Sequence, residues 1–206
     1  MTDLDLAQAC SDLYAASGPW AKVWNLDGIV CALRKDAAGQ IVCFRGSVTA
    51  EDWADDFKGW PTLDADLGYV HDGFREDMDR VVTEVLPALG ASPTAVCGHS
   101  LGAARALIFA AMLVVRKQPV SKLTAFGCPR PGFAKLSGIL RNGGFPITIY
   151  RNGPDPVASV PRLIPMWQKP VPDTILSMPP DHIADPFAWH HFPLYHQGIK
   201  LLGWKR

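Results

Sequence analysis

The fold is decided by residues 94–102, which read Thr94-Ala95-Val96-Cys97-Gly98-His99-Ser100-Leu101-Gly102. An apolar run precedes the serine, and a second apolar run, residues 103–115, follows it. This order predicts a strand, a sharp turn with Ser100 at its apex, and a helix. Such a turn strains the backbone of the serine, so the residues on either side must be small. The hydroxyl group then faces the N-terminus of the helix, where free backbone N–H groups can bind an oxyanion.

The G-x-S-x-G pattern alone is a weak signal, because a chain with 18 glycines can contain it by chance. Its strand-turn-helix context makes it specific, and it indicates a serine nucleophile with half of an oxyanion hole. A serine hydroxyl is a poor nucleophile until a neighbouring base takes its proton, and an acid must orient that base. The remaining sequence therefore has to supply a base and an acid.

The composition excludes several function classes. The chain has 20 basic and 20 acidic residues with no long run of either sign, so nothing attracts nucleic acid or an anionic membrane surface electrostatically. No stretch is long and apolar enough to span a bilayer. The N-terminus lacks the pattern of a signal peptide and the five cysteines include no C-x-x-C pair. We therefore expect a reduced, cytoplasmic protein, with secretion by another route as the alternative, and nothing indicates an oligomeric state.

The apolar periodicity predicts alternating helices and strands. Helical spacing covers residues 3–17, 74–89, 103–115 and 133–141, and strand-like runs cover residues 28–33, 40–45, 94–98, 123–127 and 147–151. From residue 40 onward the two alternate, which predicts an α/β fold. It has a mostly parallel central sheet with helices on both faces and an antiparallel hairpin at one edge. The 206 residues contain no evident interdomain linker, so we expect one domain over residues 1–206.

The acid should follow Ser100 in the chain, because α/β-hydrolases have the order serine, acid, histidine. Asp155 is favoured because it comes just after the predicted strand 147–151 and so lies at the carboxyl end of a strand, as the serine does. The alternative is that Asp155 only initiates a turn beside a proline. The other candidates are Asp173, Asp181 and Asp185.

The base should be one of the histidines downstream of the acid. His190 and His191 come just before a predicted helix, residues 193–202, whose first turn is marked by Pro193. A histidine on the loop entering the last helix can reach the serine, so both remain candidates. His196 lies within this helix, where packing is favoured, and His182 is the fourth histidine of this region. The paired histidines lack the spacing of a zinc site, so no metal is predicted.

The second oxyanion donor should come from the loop after strand 40–45. Ser47 in this loop can offer its backbone N–H and its hydroxyl beside the N–H of Leu101. Residues 49–60 then carry three aromatic side chains at helical spacing, which fits either a packed amphipathic helix or a wall or lid over an acyl site. Residues 152–193 hold ten of the 18 prolines, which is typical of a loop that either shapes a site or is mobile. The candidate substrate-binding residues are Trp53, Phe57, Trp60 and Trp167.

Several segments together resemble the class 3 lipases of the α/β-hydrolase superfamily. The matching stretches are Val42-Cys43-Phe44-Arg45-Gly46-Ser47 with Asp52-Trp53 and Asp56, His71-Asp72-Gly73-Phe74, Gly98-His99-Ser100-Leu101-Gly102, Phe126-Gly127-Cys128-Pro129-Arg130-Pro131-Gly132, and Arg151-Asn152 with Asp155-Pro156-Val157 and Pro161. They occur in the family's order between residues 25 and 161. The chain is similar to the small bacterial and phage-borne members, since it is shorter than the secreted fungal ones.

The resemblance implies a role for each matching residue. Ser100 would be the nucleophile, Asp155 the acid, and Ser47 with Leu101 the oxyanion hole. Smaller relatives place the histidine five residues before a helix tyrosine, which here selects His190. A shift of one residue would select His191, so the resemblance leaves both open.

The activity implied by the resemblance is hydrolysis of carboxylic esters by a lipase or esterase, through an acyl-enzyme and without a metal or organic cofactor. The substrate would be a small-molecule or lipid ester. An acyltransferase could use the same residues. A non-catalytic binding protein that keeps the hydrolase fold is the other alternative.

Overall fold

The computed structural model describes residues 1–47, 59–161, 164–181, 185 and 187–204. The helices are α1 (Asp3–Tyr14), α2 (Asp72–Arg75), α3 (Met78–Leu89), α4 (Leu101–Val115), α5 (Ala134–Arg141) and α6 (Phe192–Trp204). The strands are β1 (Lys22–Leu26), β2 (Ile29–Asp36), β3 (Gly39–Phe44), β4 (Pro61–Asp64), β5 (Gly68–His71), β6 (Thr94–His99), β7 (Val120–Phe126), β8 (Ile147–Asn152) and β9 (Asp173–Leu176). Two short 3-10 turns cover Val157–Ser159 and Ala188–His190.

The central sheet has the strand order β1-β2-β3-β6-β7-β8-β9. The first two pairings are antiparallel, and every pairing from β3 to β9 is parallel. This confirms the predicted α/β fold with an antiparallel hairpin at one edge. Since the carboxyl ends of parallel strands meet at one edge of a sheet, the loops after β3, β6, β7 and β8 come together there.

Helices cover both faces of the sheet, as predicted, and each face buries its own apolar cluster. Helices α1 and α6 pack on one face against alternate strand residues such as Ile41 and Cys43. Helices α3, α4 and α5 cover the other face, against residues such as Val42 and Phe44. The alternation follows from the two-residue repeat of a strand. Every helix in the described part of the chain is too short or too polar to cross a bilayer.

Several elements were not predicted. The sheet gains β1 and β9 at its two edges, and β4 pairs with β5 in a separate hairpin. The helical pattern 74–89 is divided in two, because Asp77 adopts a left-handed conformation (φ 56°) between α2 and α3. The predicted aromatic helix over residues 49–60 lies mostly outside the described residues.

Candidate active site

Ser100 lies at the apex of a sharp turn between β6 and α4. Its φ of 59° and ψ of −129° are outside the regions that side-chain-bearing residues favour. The turn is held by a hydrogen bond of 3.0 Å that the Ser100 N–H donates to the carbonyl of Phe126, at the end of the next strand. A Cβ atom added to Gly98 would lie 2.3 Å from the Gly102 carbonyl oxygen, so the predicted need for small neighbours is confirmed.

Asp155 and His190 form a buried pair close to this turn. His190 Nδ1 lies 2.7 Å from Asp155 Oδ2, and both side chains are fully buried. The imidazole also lies close to Gly127, because a Cβ atom added to Gly127 would be 2.7 Å from His190 Cε1. Gly127 directly follows Phe126, whose carbonyl accepts the hydrogen bond from the Ser100 N–H. The turn that carries Asp155 follows β8 directly, and the turn that carries His190 precedes α6. The serine, acid and base candidates are thus brought to one edge of the sheet.

His191 has different surroundings from its neighbour. Its imidazole is 58% exposed, and Nε2 lies 3.2 Å from a carboxylate oxygen of Asp185. The geometry therefore favours His190 as the partner of the acid. His196 stacks on Phe192 within α6, with 6.4 Å between the ring centroids, and His182 lies outside the described residues.

The Asp155 carboxylate accepts three hydrogen bonds. Oδ2 accepts from His190 and from the hydroxyl of Tyr195, and Oδ1 accepts from the backbone N–H of Val157 at 2.8 Å. Burial by itself would raise the pKa of this carboxyl group. The bonds from His190, Tyr195 and Val157 outweigh that effect and hold the pKa below its ordinary value. The Asp155 carboxylate is therefore stabilised in its ionised form and held in place by these bonds.

Asn152, the last residue of β8, binds the turn Ala188–His190 through hydrogen bonds. Its side-chain amide donates to the carbonyls of Met178 and Trp189, at 2.8 and 3.1 Å, and accepts from the Met178 N–H at 2.9 Å. Its backbone N–H donates to the Tyr195 hydroxyl at 3.1 Å. Because Trp189 directly precedes His190, these bonds hold the backbone that leads into His190. Sequence reasoning included Asn152 in a family segment without assigning it this role.

His99 is a second buried histidine at the site. Its Nε2 lies 2.9 Å from the carbonyl oxygen of His190, so this nitrogen carries the proton, and Nδ1 accepts from the Tyr14 hydroxyl at 2.8 Å. The rings of His99 and His190 stack with centroids 4.6 Å apart. Burial, followed by the nearby His190, lowers the pKa of His99 well below its ordinary value, so it stays neutral. No sequence pattern pointed to this contact.

The two oxyanion candidates border the same turn. Leu101 is the first residue of α4, so its N–H has no acceptor within the helix. Gly46, next to Ser47, packs so tightly that an added Cβ atom would be 2.9 Å from the Cβ of Ser100. Ser47 also lines a cavity of about 480 Å³ together with His190. The remaining walls come from the end of α1, the last residue of β6 and the start of α6, namely Ser11, Tyr14, Ala15, His99, His191, Phe192 and Pro193.

The structure does not bring the described tryptophan candidates to this cavity. Trp60 is 74% exposed beside the β4-β5 hairpin. Trp167 is buried, because its indole packs edge-on against Phe133 with ring centroids 4.8 Å apart. Trp53 and Phe57 lie outside the described residues.

Three buried thiols have the mutual spacing of metal ligands, but they lie in the core rather than at this site. The sulfur of Cys10 is 3.5 Å from that of Cys43 and 3.9 Å from that of Cys97. All three belong to the apolar cluster between α1 and the sheet, where cysteine behaves as a small hydrophobic residue.

Comparisons with known proteins find solved structures of similar fold. The triacylglyceride lipase of Rhizomucor miehei superposes with a TM-score of 0.67 at 22% identity, covering 77% of this chain and 66% of the lipase. The mono- and diacylglycerol lipase of Aspergillus oryzae superposes with a TM-score of 0.66 at 25% identity, covering 86% of this chain and 70% of that lipase. A triacylglycerol lipase described as having a serine protease triad superposes with a TM-score of 0.64 at 23% identity, covering 77% of this chain and 66% of that lipase.

The chain therefore has the α/β-hydrolase fold and spans about two thirds of the length of these lipases. No curated protein matches it significantly in sequence. Residues 41–164, more than half of the chain, match the family described as Lipase (class 3). The matched range contains Ser47, Ser100 and Asp155, and it ends before His190. The chain belongs to the class 3 lipase family.

Proposed function

We propose that the protein hydrolyses carboxylic esters through an acyl-enzyme formed on Ser100. The observation that carries this proposal is the buried Asp155–His190 pair beside a serine in a strained turn. Strain and burial both cost free energy, and they are typical of groups arranged for chemistry rather than for stability. The triad described for one of the similar lipases supports the same assignment.

The hydrogen bond to Asp155 determines which histidine nitrogen acts as the base. Since Asp155 is ionised, it accepts the proton of Nδ1, and the lone pair of the neutral imidazole is then on Nε2. In the proposed first step, Nε2 takes the Ser100 proton while the serine oxygen attacks the ester carbonyl. The alcohol leaves with the proton returned by His190. Water, deprotonated by the same nitrogen, then attacks the acyl-enzyme and releases the acid.

The proposed oxyanion hole consists of the Leu101 N–H and a donor from Ser47. One such donor stabilises the transition state by about 3 kcal/mol. We propose a lipid or small-molecule ester as the substrate, because the similar solved structures are acylglycerol lipases. The cavity of about 480 Å³ beside His190 supports binding of one arm of such an ester.

The test is hydrolysis of p-nitrophenyl esters from acetate to palmitate. We expect Ser100→Ala and His190→Ala each to lower kcat/KM by about 10⁴-fold or more. His191→Ala is the matched control and should keep kcat/KM within about threefold, a difference of about 0.7 kcal/mol. If His191→Ala is inactive and His190→Ala is active, the assignment of the base is wrong.

The remaining outcomes concern the alternatives. Transfer of the acyl group to an added alcohol in preference to water would identify an acyltransferase. A folded wild type that hydrolyses none of these esters and does not react with a fluorophosphonate would instead be a binding protein. We also propose a reducing, cytoplasmic location, which the five free, buried cysteines support.

A further inference from the structure

A second cavity, which we call the arginine cavity, is formed beside β8 on the face of the sheet opposite α6. Its volume is about 540 Å³. The Tyr150 side chain bonds to Asp3 of α1, and the Asn152 side chain bonds to the Trp189 carbonyl just before α6. The side chain between them, Arg151, therefore faces the other way. The cationic residues that line the cavity are Arg130, Arg141, Arg151 and Lys169. They come from four different segments of the chain.

The positive charge of the arginine cavity is largely uncompensated. Asp173 is the one carboxylate among the residues that line it, and this group is bound by Lys169 at 2.7 and 3.0 Å. In the described part of the chain, no carboxylate oxygen lies within ion-pair distance of Arg130, Arg141 or Arg151. Three guanidinium groups therefore face a space whose one described carboxylate is already bound by Lys169, in a chain whose formal net charge is zero.

Among the described residues, the three arginines have few hydrogen-bond acceptors. Arg151 Nε is buried and has no acceptor among the described residues. Arg130 reaches the Pro161 carbonyl at 3.5 Å and Arg141 reaches the Pro170 carbonyl at 3.4 Å, both at the long limit of a hydrogen bond. A buried donor without an acceptor costs free energy, which an anion with several oxygen atoms would offset.

The walls of the arginine cavity are held by main-chain hydrogen bonds. Arg130 donates its backbone N–H to the Val160 carbonyl at 2.7 Å, and Gln168 donates to the Gly132 carbonyl at 2.9 Å. The buried Trp167 forms part of the lining. The cationic groups are thus attached to fixed backbone, which lowers the entropy cost of placing them around a ligand.

We propose that the arginine cavity binds a phosphate group, carried by a soluble phosphate ester or by a phospholipid headgroup. Phosphate combines up to two negative charges with three free acceptor oxygens, and guanidinium groups bind it through paired N–H donors. Three arginines without a carboxylate partner in the described ranges exceed what a single carboxylate ligand needs. The site is separate from the Asp155–His190 pair, so phosphate binding does not depend on ester hydrolysis.

The first test measures binding of inorganic phosphate and of glycerol 3-phosphate by titration calorimetry, at constant ionic strength set with chloride. Arg141→Gln and Arg151→Gln should each weaken binding by about tenfold, equivalent to about 1.4 kcal/mol. The matched control is Arg80→Gln, which removes the same charge from an exposed arginine that pairs with Asp27. Thermal unfolding of each variant checks that the fold is retained.

A second test distinguishes the two sources of phosphate. Phosphatidylcholine vesicles containing phosphatidate are compared with vesicles that carry the same negative charge as oleate. Preference for phosphatidate that is lost in Arg151→Gln identifies a lipid headgroup, whereas binding of glycerol 3-phosphate alone identifies a soluble ester. The proposal is overturned if neither form of phosphate binds, or if Arg80→Gln weakens binding as much as the cavity variants. Neither readout uses esterase activity, so failure here is distinguishable from failure of the proposed hydrolysis.

Discussion

Tyr195→Phe tests how the Asp155 carboxylate is held in place. The Tyr195 hydroxyl donates to Asp155 Oδ2 and accepts from the Asn152 N–H at 3.1 Å, in a fully buried position. The substitution removes one oxygen atom and leaves the ring packed against Phe126, with centroids 6.4 Å apart. It therefore deletes two hydrogen bonds with little change in apolar packing.

The expected loss of stability follows from these two bonds. A hydrogen bond to a charged group contributes about 1.5–3 kcal/mol, and a buried N–H left without an acceptor costs about 1–3 kcal/mol. The lower ends of these ranges give a loss of about 2.5 kcal/mol in the free energy of unfolding. For a chain of this length, that corresponds to a fall in Tm of about 5–10 °C.

The pH dependence of the stability loss distinguishes the loss of the bond to the Asp155 carboxylate from a nonspecific loss of packing. The folded-state pKa of Asp155 lies below its ordinary value of 3.8, so its contribution to stability is present above pH 3.8 and is lost as the pH falls through the lower, folded-state value. The stability difference between wild type and Tyr195→Phe should therefore be constant near neutrality and shrink below pH 3.8. We also expect kcat to fall with KM unchanged, since the phenol acts through Asp155.

The assay is urea unfolding followed by circular dichroism from pH 3 to 8, combined with ester hydrolysis. Tyr69→Phe is the matched control, because Tyr69 lies on the β4-β5 hairpin and is 46% exposed. A stability loss below about 0.5 kcal/mol for Tyr195→Phe, the range of ordinary surface substitutions, would refute the reasoning. A loss that does not change with pH would show that the bond to the carboxylate is not its source.

Three further predictions concern the surroundings of the base and the thiols. Gly127→Ala should lower kcat by about tenfold or more (about 1.4 kcal/mol), because its Cβ atom would lie 2.7 Å from His190 Cε1. The matched control is Gly144→Ala, which has a positive φ of 75° but open space around an added Cβ atom, so equal activity losses would contradict the clash. His99 has a lowered pKa, so folding stability should fall by up to about 1.4 kcal/mol per pH unit below pH 6.5. Denaturant midpoints measured against pH should fall less steeply for His99→Asn than for the wild type. The five free cysteines are all buried, so a thiol reagent such as dithionitrobenzoate should label all five in denaturant. It should react far more slowly with the native protein, and rapid labelling of the native protein would contradict the burial of these thiols.

Elements that depend on local sequence were predictable. The β2-β3 hairpin, the strand β6, the serine turn and the helix α4 follow from runs of apolar residues and from turn-forming residues next to them. Each of these signals lies within about fifteen residues of chain, where periodicity determines which face is buried. The strand-helix alternation then restricts the topology to a parallel sheet, because a crossover between parallel strands needs a helix.

Elements that depend on distant partners were not predictable. The strand β9 has only four residues, in a segment rich in proline, and it forms because β8 offers a free edge. Trp167 was expected at the substrate, yet it packs against Phe133, since burial of a large indole depends on which surfaces the fold brings near it. No local sequence pattern predicts either contact.

The sequence was sufficient for the fold class and for the turn that carries Ser100, because both follow from apolar runs next to a strand end. It placed Asp155 after a strand but left open whether this residue only initiates a turn. Tertiary structure was needed to distinguish His190 from His191. The two histidines are adjacent and share one loop, so their local signals are the same. Only the fold places one imidazole 2.7 Å from Asp155 in the core and leaves the other 58% exposed. The physical reason is that a side chain acquires its burial and its hydrogen-bond partner from segments distant in the chain, here the end of β6 and the turn after β8.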